Sequence, residues 1–293
     1  MDINIKNNNI MKQKRIKKFF RKLFKRKIIL AGVIIIILFA LMAILASIIS
    51  PYDPAEQDIA NSLAKPSLMH WLGTDEVGRD VLSRIIYGTQ VSFSIGIIAV
   101  LIAAVFGMLL GLVAGFFGKI VDSIIMRIMD ALMTFPSIIL ALALGTVMGQ
   151  GIINLMIILG ISIIPTYARM MRGQVISIKE LDYITAGKVL GCSKTRLMLM
   201  HLLPNCFPPL LVLITQNIGM VILAEASLSF LGLGIPPPTP SWGGMVNYGY
   251  KYLLTNPVLA LSPGVCVMLL VLAFNIVGDG LRDVLDPRLR GSI

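Results

Sequence analysis

The side chains able to do chemistry in this chain are few, and they sit in unusual company. Asp130 and Glu225 each interrupt a long apolar run, and Asp279, Arg282 and Asp283 cluster at the end of the last one. An ionised side chain at the centre of a bilayer costs about 3 kcal/mol unless it is paired or faces a polar cavity. Asp130 and Glu225 therefore have two readings. They line a polar path through the apolar layer, with Glu225 near a cationic cargo group, or they hydrogen-bond one helix to another. Asp279, Arg282 and Asp283 read as interfacial ion pairs. The remaining candidates point away from catalysis. Cys192, Cys206 and Cys266 are scattered, with neither a disulfide framework nor metal-ligand spacing. His70, beside Trp71, and His201 are too few for a haem or zinc site. The stretch Val277-Gly278-Asp279-Gly280 has the letters of an intramembrane aspartyl site without its spacing, and there is no H-E-x-x-H. The methionines lack a repeated pair spacing, so they read as packing residues rather than soft-metal ligands. No G-x-x-x-x-G-K-[ST] loop is present, so the chain holds no ATP site of that kind.

The elements that must carry these residues follow from composition. The chain is 56% hydrophobic and 14% charged, whereas a soluble domain carries about 25% charged residues. There is too little polar surface for a water-facing globule. A spanning helix needs about 20 apolar residues, and six runs qualify: 28–49, 91–117, 124–148, 152–171, 206–230 and 259–281. The predicted fold is an all-α membrane protein of six transmembrane helices. The first run is longer than the core of a cleaved signal peptide and reads as a retained helix.

Of the 26 Lys and Arg, 11 precede Ile28. No aromatic platform accompanies them, so a nucleic-acid partner is not expected. They read as a solvated tail, residues 1–27, that meets anionic lipid and fixes orientation. With the N-terminus inside, 22 of the 26 basic residues fall on the cytoplasmic side and 4 outside. Both termini are thus expected in the cytoplasm. Residues 28–90 form the first span and an outer loop, 91–285 a five-helix core, and 286–293 a cytoplasmic end. The outer segment 51–90 is acidic, and its second half reads as a surface helix. The outer segment 231–258 is too rich in Pro and Gly for a continuous helix. Its Trp242, Tyr248, Tyr250 and Tyr252 suit the headgroup level.

The stretch about 174–205 interrupts the greasy pattern on the inner side. It reads as a helix, a bend at Gly191, and a second short helix over 194–203 capped by Ser193. Pro204 falls where that helix should stop or kink. Ala186 and Gly187 are small enough for another surface to approach. Leu190, Leu197 and Met198 supply apolar contact, and Lys188, Lys194 and Arg196 supply charge. Such an element either docks into a groove on a partner or merely covers the bundle.

The residues from Thr185 to Pro204 resemble the cytoplasmic motif of ABC importer permeases. Thr185-Ala186-Gly187 stands at its opening triplet, Gly191 at its glycine, His201 at its isoleucine and Leu203-Pro204 at its end. Thr185, Gly187 and His201 depart from the usual letters. Residues 70–92, 127–142 and 225–243 add to the likeness, which covers roughly 25–290 and is to the C-type subunit of dipeptide, oligopeptide and nickel importers. The resemblance implies a second, B-type permease, two cytoplasmic ATPases carrying ATP and Mg, and an extracytoplasmic substrate-binding protein. It implies no cofactor on this chain. It assigns ATPase coupling to Thr185, Ala186, Gly187, Leu190, Gly191, Leu203 and Pro204. Peptide is the expected cargo, a nickel chelate the alternative within the family. A stand-alone secondary transporter would show paired mid-span charges or matched broken helices, and neither is evident.

Overall fold

The computed structural model of the chain describes residues 26–285. The basic tail before Arg26 and the end 286–293 lie outside the described residues. Helix α1 spans Lys27–Ile44 and continues after Leu45 as the one-turn α2, Ala46–Ile49. Then come α3 (Val81–Phe117), α4 (Lys119–Met133), α5 (Ser137–Met148), α6 (Ile152–Lys179), α7 (Asp182–Val189) and α8 (Lys194–Arg196). The chain finishes with α9 (Leu203–Phe230), α10 (Trp242–Tyr250) and α11 (Val258–Leu285). Among the described residues there is no strand, only an isolated bridge between Thr74 and Asp80. Five helical stretches are long and apolar enough to cross a membrane, and the bent pair α4–α5 makes six if it counts as one span.

The core is built on α3 against α6. Small residues recur every fourth position along α3, at Ala99, Ala103, Gly107, Gly111 and Gly115, and all are buried. The tightest place is Gly111, where a Cβ would stand 2.3 Å from the Ala168 carbonyl oxygen. Between apolar helices in lipid, such close backbone approach supplies the packing that the hydrophobic effect cannot. Tyr167, Met171 and Val175 of α6 fill the remaining space and are fully buried.

Three boundaries differ from expectation. The predicted surface helix and second span are one 37-residue helix, about 55 Å long at 1.5 Å per residue. Asp80 starts it by accepting the Ser83 amide at 2.8 Å, so its first turns project beyond an apolar layer of about 30 Å. The predicted third span is broken instead, its halves meeting at 88°. Pro136 has no N–H to continue the ladder and bars Phe135 from helical geometry. The first half also starts at Lys119, five residues before the apolar run that begins at 124. The fifth span, for its part, runs straight out of α8, so that Lys194–Phe230 is one continuous stretch.

The loop face is tied down by buried polar groups. The Arg84 guanidinium donates to the Pro54 carbonyl at 2.8 Å and the Pro238 carbonyl at 3.3 Å. His70 is half-buried against Asp80 at 2.9 Å and packs on Tyr52. Trp242 faces the protein interior rather than lipid headgroups. It is fully buried, edge-on to Phe39, and its indole N–H donates to the Ile85 carbonyl at 3.1 Å. At the opposite face Arg26 pairs with Asp283, which brings the start of α1 and the end of α11 together.

Candidate functional site

The element on that opposite face is made by local rules. α6 stops at Lys179, and α7 follows after a break at Glu180 and Leu181. α7 ends in two interlocked hydrogen bonds, Gly191 N–H to Lys188 O at 3.1 Å and Cys192 N–H to Gly187 O at 3.0 Å. This closure needs a left-handed residue just past the helix, and Gly191 supplies it with φ +77°. Ser193 then caps α8 by accepting the Arg196 amide at 3.3 Å. Both the glycine bend and the serine cap stand where the sequence predicts them.

The far end of the element does not. Instead of stopping at Pro204, the chain passes through a π-helical turn, Leu197–Leu202, and Pro204 lies in the first turn of α9. The Leu203 N–H reaches back five residues to the Met198 carbonyl. That wider turn relieves the clash a proline ring makes with the carbonyl four residues before it. Gly187 also has a different use from the one expected. Its Cβ position is 3.0 Å from Leu197 Cδ2, so its smallness lets α7 settle on its own second arm.

The element is held by Ile184, Leu197 and Leu202, all buried. It leaves Thr185, Ala186 and Gly191 exposed, and Val189 and Leu190 are each 83% exposed. Lys194 lies over the Phe117 ring at 5.7 Å, and Lys179 donates to the Gly115 carbonyl at 3.1 Å. The element is thereby fastened to the end of α3, while Arg172 of α6 grips Asp122 of α4 through a second bond at 2.6 Å.

Asp130 and Glu225 both join helices. Asp130 is exposed and pairs with Arg169 at 2.6 Å. Glu225 is fully buried and accepts from Ser92 at 3.0 Å and Ser229 at 2.8 Å. Neither lines the cleft of ≈ 670 Å³ between α6, α9 and α11. Its polar wall is Gln174, Asn205, Gln216 and Arg282, of which the sequence reading singled out Arg282 alone and as an ion-pair partner. An amide inside an otherwise apolar span was the signal for Gln216, whereas Gln174 and Asn205 fall in the stretch 174–205, where an amide does not stand out. Among the described residues, no three His, Cys, Asp or Glu side chains come together in a way that would hold a metal ion.

Comparison with known protein families assigns this all-α membrane bundle. Residues 107–291 fit the model described as binding-protein-dependent transport system inner membrane component. This chain belongs to that family. Residues 15–66 fit a second model, the N-terminal TM domain of oligopeptide transport permease C. The permease is 42% identical over 271 residues to the dipeptide transport system permease protein DppC of Alkalihalophilus pseudofirmus, covering 92% of this chain and 89% of that one. It is 40% identical to the glutathione transport system permease protein GsiD of Pectobacterium atrosepticum, covering 94% and 91%. A solved structure of the MetNI methionine ABC transporter in an inward-facing conformation shares the fold. There the TM-score is 0.55 at 20% identity, over 69% of this chain and 96% of that one. The permease is thus a multi-pass inner-membrane component of a binding-protein-dependent transport system.

Proposed function

We propose that this permease is the C-type membrane subunit of an ATP-driven importer of di- and oligopeptides. The observation that carries the reading is the element from Asp182 to Leu202, buried at Ile184, Leu197 and Leu202 and bare at Val189 and Leu190. An amphipathic pair fixed to its own bundle on one side and apolar on the other is built to be gripped by a partner. In this reading two cytoplasmic ATPases, which carry the ATP and Mg, close on Thr185, Ala186, Leu190 and Gly191. Gly187, Leu203 and Pro204 act from within, the first seating α7 and the other two passing the movement into α9. A second, B-type permease completes the pore, and an extracytoplasmic binding protein delivers the cargo.

The mechanism is alternating access. ATP-driven closure has differential contacts with the two states of the bundle through the bent pair, as any shift of such an equilibrium requires. The contacts from Lys194 to Phe117 and from Lys179 to Gly115 carry the movement to α3. Peptide as cargo rests on the dipeptide and glutathione permeases among the relatives. The basic tail and the basic element support a cytoplasmic location for both termini.

The test is reconstitution of this permease with its partner subunits in liposomes. Uptake of a labelled dipeptide that requires ATP, the binding protein and both permeases supports the reading. Uptake of a nickel chelate without peptide uptake would move the cargo to the alternative. Uptake by the permease alone would overturn the coupling itself.

A further inference from the structure

The cleft between α6, α9 and α11 is unlike the rest of the bundle surface. Its volume, ≈ 670 Å³, lies within the range of small-molecule sites, about 300–1,000 Å³. It extends from Arg282 and Leu285, at the end of α11, to Gln216 midway along α9. Among the described residues Arg282 is the one charged side chain in its lining.

The two amides of α9 are held in defined orientations. Gln216 Nε2 donates to Asp279 Oδ1 at 3.0 Å. A carboxylate accepts only from the N–H side of an amide, so Oε1 is the atom left over. The Gln216 stem lies against α11 where that helix has no side chain, a Cβ at Gly278 falling 2.5 Å from Gln216 Cγ. Asn205 Nδ2 is likewise spent on the His201 carbonyl at 2.6 Å, which leaves its Oδ1. The wall thus offers the two α9 amide oxygens as acceptors, the Gln174 amide of α6 beside them, and one guanidinium as a fork for a carboxylate.

We propose that this cleft is the inner, exit-side binding site for cargo, with Arg282 taking the terminal carboxylate of a short peptide and the Gln216 and Asn205 oxygens taking its ammonium and amide N–H groups. These are the groups every unmodified peptide has whatever its side chains, so the site accepts peptides as a class. The inference rests on the peptide-importer reading above.

The experiment uses the complete importer in liposomes, with labelled dipeptide uptake and receptor-stimulated ATP hydrolysis measured side by side on Arg282→Gln and Arg282→Lys. Losing a charge-assisted contact weakens binding about tenfold or more. The expected result is an uptake rate down about tenfold in Arg282→Gln, ATP hydrolysis retained, and at least half of the loss recovered in Arg282→Lys. Wild-type uptake in Arg282→Gln overturns the assignment. So does an equal loss in both variants, a parallel loss of ATP hydrolysis, or loss of the second permease from the purified complex, each of which makes Arg282 a structural or interface residue. If the wild-type importer carries no peptide at all, the peptide reading fails first and the carboxylate assignment falls with it.

Discussion

Gly191 has open space where a side chain would go, with nothing within 4 Å of its Cβ position, yet its φ is +77°. The constraint is therefore the backbone. A β-branched residue in left-handed geometry costs about 1–2 kcal/mol, while Asn tolerates it. Gly191→Val should distort the bend and leave receptor-stimulated ATP hydrolysis running with little uptake. Gly191→Asn should import at close to the wild-type rate. Equal uptake by both variants in the reconstituted importer would show that the bend does not couple. The bend and the Ser193 cap are legible in the sequence because every hydrogen bond that makes them lies within a few residues. The partners of Glu225 are not, since Ser92 stands 133 positions away. Pro204 misleads for a related reason: a proline predicts a break, and only the preceding turn decides whether the helix absorbs it.

Helices α3 and α6 pack through backbone, so the element scale is where small substitutions should cost most. A side chain at Gly111 would overlap the Ala168 carbonyl, 2.3 Å from its Cβ, and overpacking of this kind costs about 1–3 kcal/mol or more. Gly111→Leu should lower the melting temperature of the detergent-purified complex or abolish its assembly. Phe106→Ala, on the same helix but 56% exposed, should leave the melting temperature within a few degrees. A second lock joins α4 to α6. Asp122→Ala or Arg172→Ala alone strips one partner from a partly buried pair. The double exchange Asp122→Arg with Arg172→Asp should recover part of the lost stability, a coupling of about 1 kcal/mol, measurable by thermal unfolding of the four variants. Run length reveals the number of apolar helices in the sequence, but not their breaks. Positions 124–148 read as one span because the run stays apolar through Pro136, and the corner depends on the two residues beside that proline.

At the scale of the whole molecule, the orientation follows from which face carries the bent pair. The described ends meet there through Arg26 and Asp283, and the proposed orientation turns that face to the cytoplasm, as the positive-inside bias of the sequence leads one to expect. Two exposed leucines make the orientation measurable. Leu190 is 83% exposed on the bent pair, and Leu254 is 99% exposed on the loop face. In a background without the native cysteines, Leu254→Cys should react with a membrane-impermeant maleimide added to cells with a permeable outer layer. Leu190→Cys should react only in inverted vesicles. Adding the partner ATPases should then protect Leu190→Cys, because the apolar surface it replaces is the one they are proposed to grip, and leave Leu254→Cys as reactive as before. The reverse labelling pattern would turn the molecule over and put the bent pair out of reach of any cytoplasmic ATPase. Correct sidedness without protection would keep the topology and remove the docking, so the two halves of the proposal are separately exposed to one measurement.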